Sequence, residues 1–94
     1  MALQMNYYDS LREKIIYNAY WRINPNHGIH GGKNEIIYTL EVFESADLAH
    51  DKNFKCIRGF SYTFVPDIST NAPNFIIQAY NHAKLHGYYE SIDV

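Results

Sequence analysis

Hydrophobic and polar residues alternate with a period of two over three stretches of the chain, a pattern typical of half-buried β-strands. The first stretch begins at Lys14 and ends before Pro25. Its alternation predicts one shared face for Ile15, Tyr17, Ala19, Trp21 and Ile23. The second stretch runs from about Glu35 to Glu44, and the third from about Lys55 to Val65. We therefore predict three strands, with a glycine-containing loop over residues 26–34 and a short helical turn after Ser45.

A helical period appears near the end of the chain. Apolar residues recur there at i, i+3, i+4 and i+7, namely Ile76, Ala79, Tyr80 and Ala83. Residues 69–71 supply candidate N-caps, Pro73 falls in the first turn, and Gly87 stands where a left-handed C-cap belongs. This spacing predicts one helix from about Ala72 to His86.

Three sequential strands followed by a helix indicate an α+β fold. Short connections favour pairing between neighbouring strands, so we predict an antiparallel three-stranded meander with the C-terminal helix packed on one face. The alternation predicts that Phe60, Tyr62 and Phe64 lie under the helix, together with Tyr17 and Trp21. Residues 1–10 form either a flexible arm or an added edge element.

Composition narrows the class of protein. With 94 residues, of which 47% are hydrophobic and 19% charged, the chain fits one globular domain, 1–94. The net charge of -2 and the scattered basic residues argue against nucleic acid as the main partner. Cys56 is the single cysteine, so no intramolecular disulfide is possible and a reducing, intracellular setting is expected. No signal peptide or long apolar run is present, so we expect neither secretion nor a membrane partner.

Few residues suggest chemistry. His82 and His86 share a helix face and, with His27 and His30, could supply four nitrogen ligands to zinc, although the same pair also suits an exposed helix C-terminus. Cys56 lies inside an alternating strand, where a small buried hydrophobe is the simpler interpretation. We therefore predict a protein that is not an enzyme and that uses no metal and no cofactor.

Aromatic residues are a more informative feature. Nine Tyr, five Phe and one Trp make up 16% of the chain, and tyrosine is favoured at protein interfaces. Several tyrosines fall outside the core pattern, and a glycine loop often becomes ordered against a neighbouring subunit. The candidate contact residues are Tyr7, Tyr8, Trp21, His30, Lys33, Tyr88 and Tyr89.

The order of several short motifs extends over most of the chain after Tyr17. The motifs are Asn18-Ala19-Tyr20-Trp21-Arg22-Ile23, Gly31-Gly32-Lys33, Tyr62-Thr63-Phe64-Val65-Pro66, Gln78-Ala79-Tyr80-Asn81-His82 and Ile92-Asp93. In this order the chain resembles a group of small proteins that tailed bacteriophages encode among their virion genes. The resemblance implies a structural or assembly protein, made in the host cytoplasm and located in the virion. Its partners would be other virion proteins or copies of itself, and we expect a homo-oligomer.

A second function of a different class fits the same composition. A small phage-encoded inhibitor of a host defence or replication protein would also be short, non-enzymatic and rich in exposed aromatic residues. Such an inhibitor usually carries a marked acidic face when it blocks a nucleic-acid site, and a net charge of -2 does not supply one.

Overall fold

The alternating stretches of the chain form strands of one antiparallel sheet, and the helical stretch near the C-terminus packs on it. The computed structural model describes residues 1–51 and 53–94, and these contain six strands and two helices. The strands are β1 (Leu3–Asp9), β2 (Lys14–Ile23), β3 (Ile29–Gly31), β4 (Ile36–Phe43), β5 (Arg58–Phe64) and β6 (Ile92–Asp93). The helices are α1 (Ala46–Ala49) and α2 (Phe75–Leu85).

Strand β4 lies at the centre of the sheet. One of its edges pairs with β5 from Ile36 to Val42, while the other edge pairs with β3 at its start and with β2 at its end. Strand β1 pairs with β2, and β6 pairs with β1. The α+β class is confirmed, but the sheet is larger than the predicted three-stranded meander, since β1, β3 and β6 join the predicted β2, β4 and β5.

The N-terminal residues belong to the sheet. Leu3 pairs with Trp21 on β2 and with Asp93 on β6, and both Ala2 and Leu3 are buried. Residues 1–10 were predicted to form either a flexible arm or an added edge element, and in the structure they add a strand to the sheet. The predicted loop over residues 26–34 likewise holds a strand, because Ile29–Gly31 pairs with the first residues of β4.

A β-bulge interrupts β2. The register of β1 against β2 shifts between Met5 and Tyr7, so that Tyr17 and Asn18 together oppose Asn6. Asn18 has a left-handed φ of 54°, and its N–H donates a 2.8 Å hydrogen bond to Asn6 Oδ1. Asparagine tolerates this conformation better than most residues, which suits it to the bulge.

The bulge reverses the side-chain alternation along β2. Ala19, Trp21 and Ile23 face the core, as predicted, but before the bulge Ile16 is the buried residue. Ile15 and Tyr17 face outward. The prediction that Ile15 and Tyr17 share the face of Trp21 is therefore corrected, because one extra residue shifts a period-two pattern to the opposite face.

Helix α2 packs on the inner face of the sheet. The main buried cluster consists of Leu3, Ile16, Ala19, Trp21, Ile23, Tyr38, Leu40, Val42, Ala79, Tyr80, Ala83 and Tyr88. The predicted aromatic face of β5, with Phe60, Tyr62 and Phe64, packs against this cluster. The Tyr80 hydroxyl accepts a 2.7 Å hydrogen bond from the N–H of Ile23, which ties the helix to the end of β2.

The ends of α2 follow from local capping. Asn74 is the N-cap, and its side chain accepts a 2.9 Å hydrogen bond from the N–H of Ile77, so the helix begins later than predicted. At the other end Gly87 has a φ of +119°, and the N–H of Tyr88 bonds to the carbonyl of Ala83 at 3.1 Å. This is the C-terminal glycine motif that the sequence predicted.

Candidate protein contact surface

Two of the predicted contact residues are core residues. Trp21 and Tyr88 are 3% and 5% exposed, and their rings meet edge to face at a centroid distance of 5.1 Å. Trp21 Nε1 donates to the carbonyl of Met5 at 2.9 Å, and the Tyr88 hydroxyl lies 2.7 Å from that of Tyr62. Both polar groups are thus satisfied inside the fold. Burial removes Trp21 and Tyr88 from the surface that a partner could contact.

The other five predicted contact residues lie on separate parts of the fold. Tyr7 is half-buried, and its ring packs edge to face against Trp21 at 5.5 Å. Tyr8, the next residue along β1, is exposed. His30 on β3, Lys33 in the β3–β4 turn and Tyr89 after α2 are also exposed, but they lie on different elements. Tyr8 belongs to a larger apolar surface.

That surface is the outer face of the β1–β2 hairpin, and we call Tyr8, Ile15 and Tyr17 the hairpin patch. Tyr8 and Ile15 are direct cross-strand partners, and Tyr17 follows Ile15 by two residues on the same strand. Their exposed fractions are 59%, 49% and 69%. Sequence reasoning missed Ile15 and Tyr17 because it placed them in the core. The signal that could have found them is Asn18, a turn-forming residue inside an otherwise regular strand.

The hairpin that carries the patch has an ordered tip. The buried carboxylate of Asp9 accepts hydrogen bonds from the N–H groups of Leu11 and Arg12 at 3.1 and 3.4 Å. Glu44 lies 3.6 Å from the Arg12 guanidinium and 3.4 Å from Lys14 Nζ. The ion pairs connect the hairpin tip to Glu44, just after the end of β4.

A histidine pair lies at the C-terminal end of α2. The rings of His82 and His86 stack at a centroid distance of 4.3 Å, and His82 Nδ1 lies 2.7 Å from the Tyr38 hydroxyl. Burial and the neighbouring His86 lower the pKa of His82, so its neutral form is favoured. Within residues 1–51 and 53–94, no three His, Cys, Asp or Glu side chains come close enough together to hold a metal ion. The four-histidine alternative is therefore not assembled in the described part of the chain.

Cys56 precedes β5 and is half-buried, so the prediction of a buried residue inside a strand is corrected. It lines an open cleft of about 700 Å³ on the outer side of the sheet. Arg22, Glu41 and His50 also line this cleft, and the Arg22 guanidinium lies 5.1 Å from the centre of the Phe43 ring. Burial, followed by the nearby Glu41 carboxylate, raises the pKa of the Cys56 thiol. A cysteine nucleophile needs the thiolate form, and this environment favours the protonated thiol.

The glycine loop is the turn of the β3–β4 hairpin. The N–H of Gly32 donates to the carbonyl of Glu35 at 3.0 Å, and Gly31 adopts a φ of +124°. Lys33 lines a shallow cavity of about 400 Å³ beside Asp67, Asn74 and other residues that precede α2. The loop thus joins two strands, as a hairpin connection does, rather than a strand and a helix as in a phosphate-binding loop.

Comparison with family models, curated proteins and solved structures found no match to this chain. Among the described residues, no helix has both the length and the apolar character needed to cross a membrane.

Proposed function

We propose that this protein is a non-enzymatic structural or assembly component of a tailed-phage virion, and that it binds a neighbouring protein of the particle through the hairpin patch. The observation that carries the proposal is the outward position of Tyr8, Ile15 and Tyr17 on the β1–β2 hairpin. The virion assignment rests on the resemblance of the chain's motifs to proteins encoded among phage virion genes.

The hairpin patch has the composition of a contact site. Tyrosine is enriched among residues that dominate binding energy, because its ring buries much apolar area while its hydroxyl keeps a polar partner. Full burial of an aromatic or branched aliphatic side chain contributes about 1.5–3 kcal/mol. Tyr8 and Tyr17 flank Ile15, so a complementary partner would cover three adjacent side chains at once.

Two groups that could carry chemistry, Cys56 and His82, lie in environments that favour their uncharged forms, which supports a binding function. The Cys56 thiol is kept protonated beside Glu41, and His82 is held by Tyr38 and stacked on His86. An activated nucleophile would instead need a partner that favours its charged form.

The first test is mass spectrometry of density-gradient-purified virions from a phage that encodes this chain. Peptides of this chain are expected in the particle fraction at a fixed ratio to the capsid protein. Presence only in the unassembled lysate would contradict the virion assignment and would favour the inhibitor function.

The second test uses the patch itself. The Tyr8→Lys/Tyr17→Lys variant is expected to be absent from assembled particles. Burying the two lysines at the contact would require their charges to be desolvated. Tyr89→Lys, an exposed tyrosine outside the patch, is the matched control and should be incorporated normally. Normal incorporation of the double variant would show that another surface makes the contact.

A further inference from the structure

Strand β5 is an open edge of the sheet. In the described residues its backbone pairs with β4 alone, so alternate N–H and C=O groups point away from the sheet. Protein edge strands are commonly blocked by proline, a bulge or central charges. Residues 58–64 contain no proline, their register against β4 is continuous, and their single charge is the terminal Arg58.

We propose that two copies of this chain pair through β5, antiparallel and about a twofold axis at Ser61, to form one continuous sheet. Ser61 is the midpoint of Arg58–Phe64, so pairing centred there engages all seven residues of the strand. In this register Ser61 faces the partner's Ser61, and Phe60 faces the partner's Tyr62. Gly59 then faces the partner's Thr63.

A second copy is the occupant that the sequence of β5 favours, because an isologous interface must be complementary to itself. The two central aromatic pairs, Phe60 with the partner's Tyr62 and its symmetry equivalent, lie on the inner face, where both rings are still partly exposed in the single chain. Aromatic cross-strand pairs stabilise antiparallel sheets.

The outer face and the ends of β5 are also compatible with this pairing. On the outer face β5 carries Gly59, Ser61 and Thr63, so the cross-strand pairs there join small, uncharged residues. Each Arg58 faces the partner's Phe64, so no like charges oppose each other. A central acidic or basic residue would have disfavoured self-pairing, and β5 has none.

This inference does not depend on the virion assignment. The hairpin patch lies on β1 and β2, and none of its residues takes part in the β5 pairing. Dimer formation can therefore be measured on the purified protein, whereas incorporation is measured on particles, and either proposal can fail alone.

The test is charge complementation at the twofold axis, measured by light scattering and sedimentation. The wild-type protein is expected to be a dimer. Ser61→Lys and Ser61→Glu should each raise the dissociation constant at least about tenfold, because two like charges then lie directly opposite each other. An equimolar mixture of the two variants should recover the dimer, which a variant that failed to fold could not do. Tyr17→Lys, in the hairpin patch, should remain dimeric.

A disulfide trap tests the register directly. In the Cys56→Ser/Ser61→Cys variant the two introduced cysteines would lie opposite each other, with Cα atoms about 4.5–5.5 Å apart, within the range for a disulfide. Mild oxidation should give a covalent dimer, and Cys56→Ser alone should not. A monomeric wild type, or an oligomer whose mass is unchanged by Ser61→Lys, would overturn the proposal.

Discussion

Two glycines, Gly31 and Gly87, have backbone conformations that few other residues could adopt. Gly31 and Gly87 both have positive φ, but a Cβ at Gly31 would also lie 2.2 Å from the carbonyl oxygen of Glu35, whereas a Cβ at Gly87 would meet nothing within 4 Å. An alanine at Gly87 would therefore suffer backbone strain alone, whereas an alanine at Gly31 would suffer both backbone strain and a steric clash.

A glycine series tests this difference by thermal or urea unfolding. Gly87→Ala is expected to lower the free energy of unfolding by about 1–2 kcal/mol, the cost of left-handed backbone for an L-residue. Gly31→Ala should lower it further, because the Glu35 carbonyl must also move. Gly32→Ala is the control and should have little effect, since its φ is ordinary and the space around it is open. Equal losses for Gly31→Ala and Gly87→Ala would contradict the steric argument.

The Tyr80 hydroxyl is the hydrogen-bond acceptor for a buried backbone N–H. Tyr80→Phe leaves the buried N–H of Ile23 without its 2.7 Å acceptor, so the free energy of unfolding should fall by about 1–3 kcal/mol. Tyr89→Phe removes the hydroxyl of an exposed ring and should be neutral. Chemical denaturation of both variants measures the difference, and a neutral Tyr80→Phe would mean that water replaces the hydroxyl.

The lowered pKa of His82 predicts how the stability of the protein depends on pH. Its folded pKa lies below the ordinary value of 6.5, chiefly because of burial, so the unfolded chain binds more protons between the folded pKa and about 6.5. The contribution of His82 to stability is complete above that value and is lost as the pH falls towards the folded pKa. Unfolding curves recorded from pH 8 to 5 should show this loss, and it should be smaller in His82→Phe. An identical pH profile in that variant would exclude His82 as the cause.

At the scale of the element, the bulge in β2 decides which side chains the hairpin presents. The left-handed Asn18 lets Ile16 face the core while Ile15 and Tyr17 face outward. The hairpin patch therefore exists because of one backbone conformation, which links a single dihedral angle to the proposed contact surface.

Substitutions at Asn18 test the bulge. Asn18→Val should destabilise the protein by about 1–2 kcal/mol, because a β-branched residue tolerates positive φ poorly. Asn18→Gly should stay within about 0.5 kcal/mol of the wild type, since the hydrogen bond to Asn6 uses the backbone N–H. Circular dichroism with urea unfolding gives both values, and a stable Asn18→Val would indicate that the hairpin has changed register.

The two ends of the chain pair with each other at one edge of the sheet. Leu3 pairs with Asp93, the N–H of Val94 donates to the carbonyl of Ala2 at 3.1 Å, and Lys84 lies 3.2 Å from the Asp93 carboxylate. The first strand thus joins the last strand and the helix, so the N-terminus contributes to global stability.

Leu3→Ala tests that coupling. Leu3 is fully buried, so its truncation should lower the free energy of unfolding by about 2–5 kcal/mol. Met1→Ala, at an exposed position two residues away, should change it little. Similar small effects of both variants would mean that residues 1–10 behave as the alternative flexible arm.

Much of the fold was predictable from the local pattern. Alternation located β2, β4 and β5 to within a few residues, and Gly87 located the end of α2, because period and capping depend on neighbours in the chain. Strand β3 was not predictable in this way, since a three-residue strand with a glycine has almost no pattern and forms only where β4 offers an edge. Side-chain exposure was predicted less well. Tyr8 is exposed, as a contact residue must be, but Ile15 and Tyr17 are exposed where the alternation had placed them with Trp21, and Trp21 and Tyr88 are buried.

The α+β class, the main strands and the helix follow from side-chain period and local propensity, which depend on neighbouring residues in the chain. The face that each side chain occupies depends instead on how the strands pair. One bulge at Asn18 shifts the alternation in the part of β2 that precedes it, and the order of strands decides whether an aromatic ring lies under α2 or in solvent. Burial depends on residues distant in the chain, so the exposed surface of this protein is a property of the assembled sheet.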